Sequence, residues 1–166
     1  KVSKRLISSL RYRVKSDQQK ATGSNLVQSR IRHQLRVENE HALNPNIKLR
    51  YRFEFQNLDF IKVQSGYLFF IDMIFQSIEK PYSFSFRYAL FNTDNYDTRI
   101  YAYERDAYFT YSVRPYYYQG QKIYFNFKWR MQRYFTFFFR ISHVTYPFNT
   151  TIGSSNDLIN GNRLSE

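Results

Sequence analysis

The amino-acid sequence predicts an all-β chain, an antiparallel transmembrane β-barrel with about eight strands here and further strands in a larger barrel. Apolar and polar residues alternate with a period of two over most of the chain. The alternating segments approach the length of about ten residues that a tilted strand needs to cross a bilayer. Aromatic residues make up 20% of the sequence, yet the mean hydropathy is −0.61. A chain that is both so aromatic and so polar must place the two classes on opposite faces of its strands.

The alternation divides the chain into strands separated by polar or turn-forming residues. The predicted strands are 2–15, 27–38, 47–57, 66–77, 81–91, 99–114, 121–130 and 134–144. Short connections are predicted at 44–46, 79–81, 119–121 and 131–133, and longer polar loops at 16–26 and 145–163. Most of these strands exceed the usual five or six residues of strands in soluble sheets.

The first four strands differ in how clearly they alternate. Strands 2–15 and 27–38 alternate weakly between apolar residues and arginines. Strand 47–57 is clear, because aromatic residues fill one face and charged residues fill the other. Strand 66–77 is apolar on both faces apart from Asp72 and Gln76. The third strand, 47–57, therefore gives the clearest assignment of residues to the apolar face and to the polar face.

The later strands repeat the pattern of 47–57. Strands 81–91, 121–130 and 134–144 place apolar, mostly aromatic residues at every second position and mostly polar or basic residues between them. Segment 99–114 alternates in the same way, so it is predicted to be another strand of the same sheet. No periodicity of 3.6 residues holds over a helix-length window, so no helix is predicted.

The apolar face is predicted to contact lipid. A small soluble barrel that turned these rings inward would need to alternate large and small residues, which this face does not do. No Lys, Arg, Asp or Glu lies on it in the central part of the clearest strands, and a Lys or Arg there would cost about 2–4 kcal/mol in a membrane. Tyr and Trp recur near strand ends, as is typical of membrane interfaces. The predicted lipid-facing residues are Tyr51, Phe53, Phe55, Phe84, Phe86, Phe125, Phe127, Phe135, Phe137 and Phe139.

The opposite face is predicted to line a basic lumen. The formal net charge is +12, and few acidic residues share this face. The predicted lumen residues are Arg11, Arg13, Arg30, Arg32, Arg36, Arg50, Arg52, Arg87, Arg114, Lys128, Arg130 and Arg140. A positive lumen concentrates anions and would favour anionic solutes. The alternative is a lumen closed by a plug, a loop or further strands whose acids neutralise it.

Other chemistry finds little support. The chain has no cysteine, which excludes disulfides and cysteine metal sites. Asp94 and Asp97 could offer oxygen atoms to Ca²⁺ but lack the spaced ligands of a calcium loop, so a salt-bridged turn is the simpler interpretation. Ser142 and His143 are adjacent and point to opposite faces of a strand, so they cannot form a dyad with each other. Stacking of nucleic-acid bases needs aromatic and basic residues on one face, whereas here the aromatic residues and most of the arginines lie on opposite faces. We predict no enzyme, no cofactor and no metal, and a nucleic-acid partner is not favoured.

Two stretches resemble a known family of proteins. They are Phe86–Glu104, FRYALFNTDNYDTRIYAYE, and Thr151–Glu166, TIGSSNDLINGNRLSE. Both are similar to stretches of outer-membrane proteins of Bacteroidetes-type bacteria, which carry an N-terminal helix-hairpin-helix region and a C-terminal barrel. The resemblance covers residues 45–166 well and 1–44 loosely. It implies a bacterial outer-membrane location and no established catalytic role. The helix-hairpin-helix region, and the final strand that usually follows the second stretch, are not in this sequence.

These observations predict one domain, residues 1–166, as an incomplete segment of an outer-membrane β-barrel. Its predicted role is that of a non-enzymatic cell-envelope component, either a scaffold or a subunit of a membrane protein complex. The expected partners are outer-membrane lipids and lipopolysaccharide, and other outer-membrane proteins or lipoproteins. One alternative is a porin-like transport pore with a basic, anion-preferring lumen. A third is a soluble β-protein that binds lipid or nucleic acid.

Overall fold

The computed structural model describes residues 5–20, 27–106, 113–132, 134–147, 151–152 and 159–165, and it is built almost entirely from β-strands. The strands are β1 (Arg5–Lys20), β2 (Val27–Asn44), β3 (Ile47–Asp59), β4 (Val63–Gln76), β5 (Tyr82–Thr93), β6 (Ile100–Tyr103), β7 (Val113–Tyr116), β8 (Gln119–Gln132), β9 (Phe135–Thr145), β10 (Thr151–Ile152), β11 (Ile159–Asn160) and β12 (Arg163–Ser165). A single 3-10 turn, Tyr96–Thr98, follows β5. The predicted all-β class is confirmed. No helix within the described ranges is long and apolar enough to cross a membrane.

Eight of these strands form one antiparallel sheet in the order β1-β2-β3-β4-β5-β8-β9-β12. Strands β6 and β7, and strands β10 and β11, form two separate two-stranded sheets. The sheet is open, because β1 and β12 are its two edges and do not pair with each other within the described residues. An antiparallel sheet is therefore present, as the alternation predicts. Seven of its eight strands correspond to predicted strands, and the eighth, β12, begins at the end of the loop predicted over 145–163.

The connections between strands differ in length at the two ends of the sheet. At one end, β2–β3 and β4–β5 are joined by the short turns 45–46 and 77–81. At the other end lie the short turn 60–62 and the two long connections 94–118 and 146–162. We call these the short-turn end and the long-connection end.

The burial of the two faces is the reverse of that in a soluble sheet. On β3, Phe53 is 43% exposed, whereas its neighbours Arg52 and Glu54 are 8% and 3% exposed. On β4, Phe69 and Ile71 are exposed while Asp72 is buried. We call the face carrying the exposed rings the outer face and the face carrying the buried charges the inner face. A sheet that folds only in water buries its apolar face instead.

The long segment between β5 and β8 covers the inner face. We call residues 94–118 the inserted segment; its described parts are 94–106 and 113–118. The hairpin β6-β7 within it packs against the half of the inner face nearer the long-connection end. This packing forms the apolar core, whose members are Leu68, Phe70, Ala89, Phe91, Ile100, Ala102, Tyr116, Val144 and Tyr146.

The prediction of a sheet strand over 99–114 is wrong. Only Ile100–Tyr103 and Val113–Tyr116 are strands within the described part of this stretch, and they pair with each other. Strand β5 pairs directly with β8, so the main sheet bypasses the segment. The local alternation is real, but it serves a hairpin that buries Ile100 and Ala102 against the sheet. Residues 107–112 lie outside the described residues.

Two predicted connections also differ. Residues 119–121, predicted as a turn, belong to β8, and the chain reverses just before them at Tyr118, which has a positive φ of 59°. Gly120 is needed for close packing, since a Cβ there would lie 2.7 Å from the Phe91 ring and 2.7 Å from the Thr145 carbonyl oxygen. The loop predicted over 16–26 begins later, because β1 continues to Lys20. The turn predicted at 131–133 includes Arg133, which lies outside the described residues.

Candidate functional site

The inner face of the sheet carries opposite charges directly across from one another. Arg36 is the register partner of Glu54, and their side chains approach to 2.8 Å. Glu38 faces Arg52 in the same pair of strands and forms an ion pair with it. Because opposite charges at directly opposed positions stabilise an antiparallel pair, the neighbouring strands neutralise each other.

Asp72 of β4 extends this charge ladder to β5, so that the ladder spans four strands. Its carboxylate accepts from Arg50 of β3 at 2.5 Å and from Arg87 of β5 at 2.5 Å. Arg87 is fully buried, and its guanidinium lies 3.8 Å from the centre of the Phe70 ring. A buried charge is tolerated when it is paired and hydrogen-bonded, and here both conditions are met.

Side chains of the sheet hold the inserted segment through its backbone carbonyls. Arg32 of β2 donates to the carbonyl oxygen of Asp97 at 3.0 Å, and Arg87 donates to that of Tyr103 at 2.8 Å. The other donors of this kind are Gln56 to Arg99, Asn126 to Arg105 and Arg140 to Arg105. The donors come from five strands, so the segment is anchored across most of the width of the sheet. These hydrogen bonds satisfy backbone acceptors of the segment.

Glu104 is the main acidic group of the inserted segment, and it is fully buried. Its carboxylate lies 2.9 Å from Lys122 Nζ and 2.5 Å from Arg140 Nη2, and it accepts a hydrogen bond from the Tyr116 hydroxyl at 2.6 Å. Burial by itself would raise the pKa of Glu104, but Lys122, Tyr116 and Arg140 together hold that pKa below its ordinary value. Glu104 therefore stays ionised and neutralises cations of β8 and β9.

The start of the inserted segment is a capped turn. The Asn95 side chain accepts from the backbone N–H groups of Asp97 and Thr98, and Thr98 in turn accepts from the Asn95 N–H. Asp94 accepts from the Ser65 backbone N–H at 2.6 Å. This reciprocal cap fixes the chain direction where it enters the inner face. Within the described residues no group of acids and histidines could hold a metal ion, and Asp94 is occupied by Ser65.

A bare basic strip remains on β1. Arg11, Arg13 and Lys15 occupy successive inner-face positions there, and all three are exposed. Among the described residues none of them has an ion-pair partner. The inner face thus has a neutralised, covered half and an uncovered cationic edge.

A cavity of about 350 Å³ lies between the inserted segment and the short-turn end. Polar residues of the sheet and of the segment meet in it, among them Ser83, Asn126, Lys128, Arg105 and Arg140. The inserted segment therefore fills the inner face at the long-connection end and leaves below it a recess lined by both polar and aromatic residues.

The predicted lumen residues lie on the inner face of the sheet with one exception. Those at inner-face positions are Arg11, Arg13, Arg30, Arg32, Arg36, Arg50, Arg52, Arg87, Lys128, Arg130 and Arg140. The prediction for Arg114 as a sheet residue is wrong. It belongs to β7 of the inserted hairpin, where it lies 3.9 Å from Asp106.

The predicted lipid-facing residues all lie at outer-face positions, but their exposure differs. Tyr51, Phe53, Phe55, Phe135, Phe137 and Phe139 are exposed, whereas Phe84, Phe86, Phe125 and Phe127 are half-buried. The half-buried rings pack on one another: Phe84 stacks on Phe75 at 4.8 Å between ring centres and lies 6.1 Å from Phe125.

The structure also brings together residues whose contact the sequence did not predict. Glu104 and Tyr116 meet Lys122 only because the inserted segment folds back onto the sheet. A signal for this was the presence of Glu104 and Asp106 inside a predicted strand. His143 Nδ1 lies 2.7 Å from the Ser165 hydroxyl and His143 Nε2 lies 3.2 Å from that of Thr145, on the outer face. Among the described residues no carboxylate contacts this histidine.

Comparison with protein-family models, with curated proteins and with solved structures finds no match to this chain.

Proposed function

We propose that this chain is the transmembrane part of a bacterial outer-membrane β-barrel that serves as a non-enzymatic structural component of the cell envelope. The observation that carries the proposal is the inverted burial of the sheet. Exposed rings cover the outer face, while Arg52, Glu54 and Asp72 are buried on the inner face. Lipid is the solvent that favours the first arrangement, because apolar rings need not be hidden from it.

The arrangement of the connections supports the same proposal. In outer-membrane barrels, short turns lie on the periplasmic side and longer loops lie outside. The short turns 45–46 and 77–81 share one end of this sheet, and both long connections lie at the other. We therefore propose that the short-turn end faces the periplasm. The expected lipid contacts, including lipopolysaccharide at the long-connection end, follow from this orientation.

A structural role is favoured over transport because the inserted segment fills the half of the inner face nearer the long-connection end. Its anchors come from five strands, and Glu104 and Asp106 neutralise Arg140. An anion-preferring pore is the second candidate, and the bare basic strip of Arg11, Arg13 and Lys15 favours it. Single-channel conductance separates the two. A barrel whose lumen is blocked by the inserted segment gives no steady conductance, whereas an open pore conducts with a preference for anions.

The membrane proposal is tested at the centre of the outer face. Phe53 is exposed in the middle of β3, so Phe53→Arg places a charge in the proposed lipid face at a cost of about 2–4 kcal/mol. We expect a clear loss of membrane-assembled, heat-modifiable protein. The matched control, Phe53→Leu, keeps an apolar side chain and should assemble normally. A monomeric, folded protein purified without detergent would contradict the proposal and favour a soluble β-protein that binds lipid or nucleic acid.

A further inference from the structure

The middle of the edge strand β1 lacks the charge pairing found on β2 to β5, whereas its end follows that pairing, because Asp17 lies opposite Arg30 and 3.2 Å from it. Across β2 to β5, inner-face arginines lie directly opposite acids, as in the pairs Arg36 with Glu54, Arg52 with Glu38 and Arg87 with Asp72. On β1, Arg11 lies opposite Arg36 and Lys15 lies opposite Arg32. Like charges at directly opposed positions destabilise a strand pair. The cations of β1 are therefore not neutralised from the β2 side.

The two acids of β2 are already paired with other cations, Glu38 with Arg52 and Glu40 with Lys48. Arg36 forms an ion pair with Glu54, and Arg32 donates a hydrogen bond to the backbone carbonyl of Asp97 and not to a carboxylate. Arg13 lies opposite Gln34, which is hydrogen-bonded to Gln56. A carboxylate directly opposite Arg11, Arg13 or Lys15 must therefore come from the other side of β1.

That other side is an open strand edge. Strand β1 has 16 residues, and β2 is the one strand that pairs with it in the described structure. An exposed edge of this length presents a row of unpaired backbone donors and acceptors, which is a template for one more strand. In lipid these groups must be paired.

We propose that β1 is the docking edge for a partner strand with acidic residues at alternate positions. Its carboxylates would lie opposite Arg11, Arg13 and Lys15, which are spaced by about 6.8 Å along β1. Its intervening residues are apolar and continue the outer face beside Leu10, Tyr12 and Val14. A second copy of this chain fits poorly, because β1 against β1 sets cations against cations and β12 carries no acid.

The partner chemistry is tested with synthetic peptides and the purified chain in detergent. A ten-residue peptide alternating Glu and Val is compared with one alternating Lys and Val, by fluorescence anisotropy. We expect the acidic peptide to bind at least about tenfold more tightly, because three opposed charge pairs form with it and three like-charged pairs form with the other. A third peptide alternating Glu and Pro has the same charge, but every second residue lacks a backbone N–H and has φ fixed at about −65°. It therefore forms no regular strand and should bind much more weakly.

Reversal of the strip should reverse the preference. The triple variant Arg11→Glu, Arg13→Glu, Lys15→Glu is expected to lose the acidic peptide and to gain the lysine peptide. This gain is a result that misfolding cannot produce. The matched control Lys62→Glu, at an exposed turn lysine, should bind as the unaltered chain does.

Three outcomes would overturn the proposal: equal binding of the acidic and basic peptides, equal binding of the proline peptide, or no reversal in the triple variant. Equal binding of the proline peptide would indicate a simple anion site. The inference rests on the proposed function only in placing the β1 edge in lipid. Peptide binding is measured in detergent and membrane assembly is measured with Phe53→Arg, so either can fail alone.

Discussion

Removal of the charge of Glu104 should release the inserted segment from the inner face. The substitution Glu104→Gln keeps the volume of the side chain but leaves Lys122 without its carboxylate and Arg140 with Asp106 as its remaining acid. Loss of one partner from a buried ion pair costs about 3–5 kcal/mol. We take the lower end, about 3 kcal/mol, because Asp106 still lies 2.9 Å from Arg140.

A cysteine on the buried side of the inserted segment reports the release of the segment from the sheet. Ala102 is buried in the core between β6 and the sheet, and the chain has no other cysteine, so Ala102→Cys gives labelling without background. A cost of about 3 kcal/mol raises the open population, and with it the labelling rate, about 150-fold. The matched control is Glu79→Gln, which removes the same charge from an exposed position in the turn 77–81 and should leave the rate unchanged.

The result that would refute this reasoning is an unchanged labelling rate when Glu104→Gln is added to a folded Ala102→Cys protein. It would mean that the backbone contacts from Arg32, Gln56 and Arg87 hold the segment without help from Glu104. A second check is the double variant Glu104→Gln, Lys122→Met. It removes the unpaired cation, so it should recover part of the loss, as replacement of a whole buried pair often does.

Three further predictions follow from the same site. The pKa of Glu104 is lower in the docked segment than its ordinary value of 4.5, so the ionised carboxylate stabilises docking fully above pH 4.5, and this stabilisation is lost as the pH falls through the lowered pKa. Labelling of the Ala102→Cys protein, measured relative to a cysteine introduced at the exposed position 62, should therefore stay constant down to about pH 4.5 and rise below it. In Gly66→Ala the new Cβ would lie 2.8 Å from the Thr98 carbonyl oxygen, so the capped turn must shift at a cost of about 1–3 kcal/mol, and labelling of the cysteine introduced by Ala102→Cys should increase while the sheet persists by circular dichroism. A cysteine at Lys62 should react with an impermeant reagent on whole cells and one at Lys80 should not; the opposite pattern would contradict the proposed orientation.

The sequence predicted the two faces of the sheet well because side-chain direction in a strand is a local property. Alternation over 47–57 places Phe53 opposite in direction to Arg52, and no other strand is needed to establish this. The same reasoning placed Phe137 and Arg140 correctly on β9. It also identified the turn at 44–46, where Asn44 accepts from the backbone of Asn46 and Ile47.

Local alternation could not show which strands pair. Segment 99–114 alternates like its neighbours, yet its described strand residues, 100–103 and 113–114, belong to a hairpin on the inner face, and β5 pairs directly with β8. The prediction of a strand there was wrong for that reason. The alternation shows which side chains of a strand point in the same direction. It does not show whether the strand belongs to the main sheet or to a segment packed on that sheet.

Which charges neutralise which depended on the tertiary structure. The sequence shows an excess of basic residues, and it left open whether the inner face is a basic pore or is neutralised by a plug. The ion pairs of Asp72 with Arg87 and of Glu104 with Lys122 depend on strand register and on the return of the inserted segment. A shift of register by one residue would turn each of these side chains to the other face. Charge content and side-chain direction are thus local properties of the sequence, whereas neutralisation is a long-range property that only the packed sheet decides.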